Sequence, residues 1–182
     1  MNFLKYQEQA WSTAIYNNKG DNPVYVVEGL CGEAGEVFEL IKRIHRGQEL
    51  DLEKLKGETG DVLWYIQGMH SEYNMNMPDR EMDPYQRACV ASVKPFDIHH
   101  WAFRLSSSIG RVAEWQDSCT YYDMYNFVSP SDLQNLLESC LQALTMLIHT
   151  AGLQLDEVAQ FNLDKLARRQ EKGILSGDGS DR

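Results

Sequence analysis

Gly29-Leu30-Cys31-Gly32-Glu33-Ala34-Gly35-Glu36 opens a run in which Leu30, Ala34, Val37, Ile41 and Ile44 recur at i, i+4, i+7, i+11 and i+14. That spacing is the period of an α-helix with one apolar stripe, and it predicts a helix over residues 24–46. A second run, Gly57-Glu58-Thr59-Gly60-Asp61-Val62-Leu63-Trp64-Tyr65, sits in another such pattern, with Leu55, Val62, Ile66 and Met69 as its stripe and Asp51 as N-cap. Each run carries two carboxylates three residues apart: Glu33 with Glu36, and Glu58 with Asp61. Residues at that spacing share a helix face. If the two helices pack antiparallel, four carboxyl groups converge. Such a cluster repels itself, so a cation must lie among its members or some must hold a proton. Oxygen-only ligands favour a hard cation, Mg2+ first, and carboxylate-held Mg2+ keeps positions for water and phosphate oxygens.

The rest of the chain also reads as helical. Residues 3–17 suggest a helix ending in the turn formers Asn17-Asn18-Lys19-Gly20. Residues 74–84, broken by Pro78 and Pro84, read as a loop. Helical patterns resume over 85–93 and 97–119, and Ser129-Pro130 reads as an N-cap followed by a first-turn proline, opening a helix to about Thr150. A last helix is expected over 156–172, stopping near Gly173. The expectation is a single all-α domain over residues 1–182.

Composition excludes several classes. The 182 residues suffice for one domain with a core, and no apolar run approaches the roughly 18 residues of a membrane span. The polar start, Met1 to Ala10, lacks a signal-peptide core. These features suggest a cytoplasmic protein without a membrane partner. A net charge of −10 disfavours polymeric nucleic acid, whose binding needs Lys and Arg on phosphates. A small phosphorylated ligand remains compatible, because a bound cation inverts the local sign. Cys31, Cys89, Cys119 and Cys140 form no CxxC and read as small hydrophobes.

The chain also echoes itself. Leu105 to Glu114 aligns without gaps on Leu30 to Glu39, and Asp132 to Leu144 on Asp51 to Leu63. Leucines and Gly110 match. The carboxylates do not: Ser108, Arg111, Ser139 and Gln142 stand opposite Glu33, Glu36, Glu58 and Asp61. The echo reads as a degenerate duplication, or as the ordinary likeness of amphipathic helices. In the last helix Asn162, Lys165 and Arg169 form one polar stripe, either a solvated face or a phosphate clamp. Lys42 stands at the end of the earlier helix, where it favours the dipole or reaches a phosphate.

Together these residues resemble the MazG-like family of all-α nucleoside triphosphate pyrophosphohydrolases. The likeness rests on Glu33-x-x-Glu36 and Glu58-x-x-Asp61 with 21 residues between them, on their flanking glycines and Val37, and on Asp61-Val62-Leu63-Trp64-Tyr65. Tyr6-Gln7, the closing helix with Asn162, Lys165 and Arg169, and the Gly173 to Gly179 tail also fit. It covers residues 1–72 and 150–182, as a catalytic core around a helical insert, residues 73–149, that small members lack. The resemblance implies Mg2+-dependent hydrolysis of an NTP or dNTP to the monophosphate and pyrophosphate. It implies metal ligation by Glu33, Glu36, Glu58 and Asp61, and proton transfer by Glu36, Glu58 or Glu39. Lys42, Lys165 and Arg169 would hold phosphates, with Asn162 beside them, and Trp64 or Tyr65 would meet the base unless they simply pack in the core. A homodimer or homotetramer is expected, since the carboxylate face needs covering. The competing class is a non-catalytic nucleotide sensor or partner-binding bundle, motivated by the carboxylates missing from the second half.

Overall fold

The computed structural model describes residues 1–122 and 129–173. Among them it is all-helical: α1 Phe3–Ser12, α2 Pro23–Ile44, α3 Leu52–Glu72, α4 Met82–Ser92, α5 Ile98–Tyr121, α6 Pro130–Thr150 and α7 Leu155–Glu171. The Ser176 to Arg182 tail lies outside the described residues. No single helix among those described is long and apolar enough to cross a membrane.

The caps explain the boundaries. Asp51 accepts from the Lys54 amide, and Ser129 forms a capping box with Asp132 ahead of Pro130. Gly173 adopts a left-handed φ of 67° just beyond α7, as the Gly stop signal requires. Two expectations move. The first helix stops at Ser12 rather than residue 17, because residues 13–22 turn away as a loop with Asn18 and Gly20 at positive φ. The expected loop ends early, since α4 starts at Met82. Pro84 sits in its first turn, where the missing N–H has no helical partner to lose. Cys31 is also exposed rather than buried, unlike Cys89 and Cys140, and all four thiols are free.

α2 packs on α3 and on α5, α5 on α6, and α3 on α6, so two helix pairs form the centre. α7 lies across α3, with α1 and α4 on its flanks. The sequence echo extends into the packing. Val26, Val27, Leu30, Ala34, Val37, Leu40 and Ile41 of α2 are buried, and so is every counterpart 75 residues on: Trp101, Ala102, Leu105, Ile109, Val112, Trp115 and Gln116. Likewise Leu55, Thr59, Gly60, Val62, Leu63 and Ile66 of α3 match the buried Leu136, Cys140, Leu141, Ala143, Leu144 and Leu147 of α6. A shared helical period alone does not require the same register in both helices of each pair.

Candidate metal centre

The apolar stripes of α2 and α3 face the core together, which carries their flanking carboxylates to one side. Glu33, Glu36 and Glu58 each offer an oxygen, and these lie within 4.8 Å of one another. Octahedral Mg2+ holds oxygens at ~2.0–2.1 Å, so its ligand oxygens are about 3–4 Å apart. A small inward movement of three side chains would meet that geometry, and the all-oxygen set suits the ion.

Asp61 stands apart from this trio. It pairs with Lys165 and accepts from Asn162 Nδ2 at 3.0 Å. Asn162 is fully buried, and its Oδ1 accepts from Tyr6 Oη at 2.9 Å. The chain Tyr6–Asn162–Asp61 thus ties α1, α7 and α3 together. Asn162 therefore lies behind Asp61, bonded on both sides, and does not line the acidic cavity as Lys165 and Arg169 do. Gly60 permits this approach: a Cβ there would lie 3.0 Å from Asn162 Cβ. Within the chain nothing lies within 4 Å of a Cβ at Gly35.

Burial, then the negative charges of Asp61, Glu36 and Glu58, push the Glu33 carboxyl up to about 7, against a weaker pull from Lys165. Glu58 is also raised, by burial and then by Glu36 and Asp61. A carboxyl whose folded pKa exceeds its unfolded value lowers stability as pH climbs between the two. Metal-free protein should therefore gain stability from Glu33 as pH falls from about 8 to about 5.5. The buried His70, whose pKa is lowered, contributes in the opposite sense, so the comparison needs Glu33→Gln. In EDTA, the melting temperature of wild type relative to Glu33→Gln should rise on acidification. A constant difference would remove the electrostatic strain from the cluster.

Two cavities meet at this centre. One, of about 370 Å³, is acidic: Glu33, Glu36, Glu53, Glu58 and Asp61 line it with Lys54, Lys165 and Arg169. The other is an aromatic cleft lined by Tyr16, Tyr25, Trp64 and Tyr65, with Thr13 to Ile15 and Leu166. Glu33, Asp61 and Arg169 border both. Tyr16 stacks on Tyr25 with ring centroids 4.3 Å apart, and Trp64 stands edge-on to Tyr16 and Tyr65. The Trp64 indole N–H donates to Ala10 O and Thr13 Oγ1 at 3.2 Å, fixing the ring. Gly29 makes room for Tyr65, since a Cβ there would fall 2.1 Å from Tyr65 Cε1.

The structure thus gathers Glu33, Glu36, Glu58, Asp61, Lys165, Arg169 and Trp64, and separates Glu39 and Lys42 from them. Those two pair with each other, and Arg43 lies 3.6 Å from Glu39. They border a different groove, between α2 and α5, with Phe38, His45, His99 and Phe103. Its bond to Lys42 holds the Glu39 carboxyl below the usual range, which makes it a poor proton acceptor. Each three-residue step along α2 drifts about 60°, which leaves Glu39 about 120° and Lys42 about 180° round the helix from Glu33 and corrects the roles expected for both. Sequence reading missed Tyr16 and Tyr25. They lie in and beside a loop with no periodicity, and only the fold brings them to the carboxylates.

No protein-family model matches the chain, and no solved structure matches it. The chain is similar to the Gene 37 protein of Mycobacterium phage L5, with 39% identity over 71 residues. That match covers 34% of this chain and 62% of the phage protein, so the chain spans under two thirds of that relative.

Proposed function

We propose that this protein hydrolyses a nucleoside triphosphate to the monophosphate and pyrophosphate with Mg2+, as a divergent MazG-like enzyme. The observation that carries the reading is the meeting of an acidic cavity and an aromatic cleft at Glu33, Asp61 and Arg169. A nucleoside triphosphate has the matching halves, a planar base and a polyanion that needs a cation among carboxylates. Glu33, Glu36 and Glu58 are suited to hold the metal, with Asp61 kept nearby by Lys165 and Asn162. Bound there, Mg2+ would supply positive charge against the phosphate oxygens and the leaving pyrophosphate. Arg169 and Lys165 face the outer phosphates, Arg as a fork donor and Lys as a point charge. Glu58 would accept the proton of the attacking water through the carboxylate oxygen left free of the metal. The water oxygen bonds the α-phosphorus, the α–β bridging bond breaks, and pyrophosphate departs with that electron pair. Tyr16, Tyr25 and Trp64 flank the base.

The test is incubation of the purified chain with each common NTP and dNTP plus Mg2+. Equal amounts of monophosphate and pyrophosphate, abolished by EDTA, are expected. Nucleotide binding without turnover under Mg2+ or Mn2+ would replace this reading with that of a sensor.

A further inference from the structure

The second helix pair holds a cavity of about 290 Å³ of opposite character, lined by Val93, Phe96, His100, Trp101, Arg104, Ser139, Gln142 and Ala143. At the offsets that relate the two halves, His100, Arg104, Ser139 and Gln142 are the counterparts of Tyr25, Gly29, Glu58 and Asp61. The cavity thus takes in the α6 counterparts of Glu58 and Asp61, while Ser108 and Arg111, the α5 counterparts of Glu33 and Glu36, lie outside it. Its chemistry is inverted. No carboxylate lines it, and Arg104 makes no ion pair among the described residues. In a chain of net charge −10 an exposed, unpaired arginine at the rim of an acid-free cavity is a local attraction for anions. Two further observations concern a ligand. Phe96 stacks on His100 with centroids 4.0 Å apart, and Trp101 stands edge-on to both, which gives the cavity an aromatic wall. The indole N–H of Trp101 is buried, with that residue 5% exposed, and has no hydrogen-bond partner. A buried donor left unpaired is destabilising, and an acceptor brought to it by a small opening of the cavity wall would relieve that.

We propose that this cavity is a second, metal-independent binding site for a nucleoside monophosphate. Its phosphate lies on Arg104 beside the Ser139 hydroxyl and the Gln142 amide, and its base lies on the Phe96, His100 and Trp101 rings. Substituting Ser and Gln for the carboxylates removes the need for a cation, so the phosphate binds the arginine directly. The proposal does not require the first site to be catalytic.

The experiment titrates 15N-labelled full chain with each ribo- and 2′-deoxynucleoside monophosphate in EDTA, following the Trp101 indole signal assigned through Trp101→Phe. At least one nucleotide should shift that signal saturably below about 1 mM, and Arg104→Ala should raise its Kd at least tenfold with the remaining spectrum unchanged. Turnover at the first site, measured separately with Mg2+, should survive Arg104→Ala. Three outcomes would overturn the proposal: no shift up to about 10 mM, a shift insensitive to Arg104→Ala, or inorganic phosphate binding as tightly as every nucleotide.

Discussion

Glu58→Gln is expected to lower turnover with Mg2+ about a thousandfold and, at the same time, to raise the melting temperature in EDTA. The substitution preserves volume and one carbonyl acceptor. It removes a charge from a trio whose oxygens lie within 4.8 Å of one another, and it removes the proposed proton acceptor. Loss of general-base assistance alone is worth roughly 10²–10⁴ in rate, and weaker metal affinity adds to it. The gain in stability follows from the opposite side of the same arrangement. Glu58 contributes to holding the Glu33 carboxyl above its ordinary range, so neutralising it relieves repulsion that the metal-free fold otherwise bears. A residue that costs stability and supports turnover is the mark of a functional cluster rather than a packing one. Glu39→Gln is the control, since Glu39 lies in the other groove with Lys42, and its turnover should stay within about twofold of wild type. Turnover by Glu58→Gln within about threefold of wild type would remove Glu58 from the chemistry.

The fold was legible because both central helices advertise it twice. The stripe from Leu30 to Ile44 and the stripe from Leu55 to Met69 each set a face, and three of the four carboxylates follow from those faces. The fourth, Asp61, is where spacing runs out. Its partner choice depends on α7, which returns from about 100 residues away in sequence to place Lys165 and Asn162 against it. Periodicity could put Asn162, Lys165 and Arg169 on one side of a helix. It could not tell that the first is fully buried while the other two reach the cavity. Glu39 and Lys42 failed for a related reason. They continue α2 by about one and two turns beyond Glu36, drifting about 60° with each step, and the packing of α5 on α2 turns that side into another groove. The aromatic cleft was least legible, because Tyr16 owes its place to a loop segment, Tyr16 to Asn22, that one distant side chain gathers.

That side chain is Glu72, and Glu72→Ala is expected to lower the melting temperature by about 4–16 °C and to raise the KM for nucleotide. Glu72 ends α3 and is buried, 6% exposed. Its Oε1 accepts from the Tyr16 hydroxyl and from the Gly20 amide at 3.0 Å, and its Oε2 accepts from the Asn22 amide at 2.7 Å. One carboxylate therefore gathers the Tyr16 to Asn22 part of the α1–α2 loop, which forms a wall of the cleft. Truncation leaves three donors short of an acceptor. Each such loss costs about 1–3 kcal/mol where water cannot enter, and partial hydration brings the total to about 2–4 kcal/mol. At about 2–4 °C per kcal/mol for a chain of this size, that gives the stated range. Freed from its anchor, Tyr16 loses its fixed stack on Tyr25, so base binding weakens while the carboxylates stay in place. The KM should then rise with little change in kcat, a split that simple unfolding does not produce. Glu72→Gln keeps an oxygen for Tyr16 and Gly20 but turns an amide NH2 toward the Asn22 donor, and should fall between Ala and wild type. Tyr16→Phe removes only a hydroxyl and keeps the ring stack, and should cost less than either. A melting temperature for Glu72→Ala within about 1 °C of wild type would show that the loop holds itself without this carboxylate.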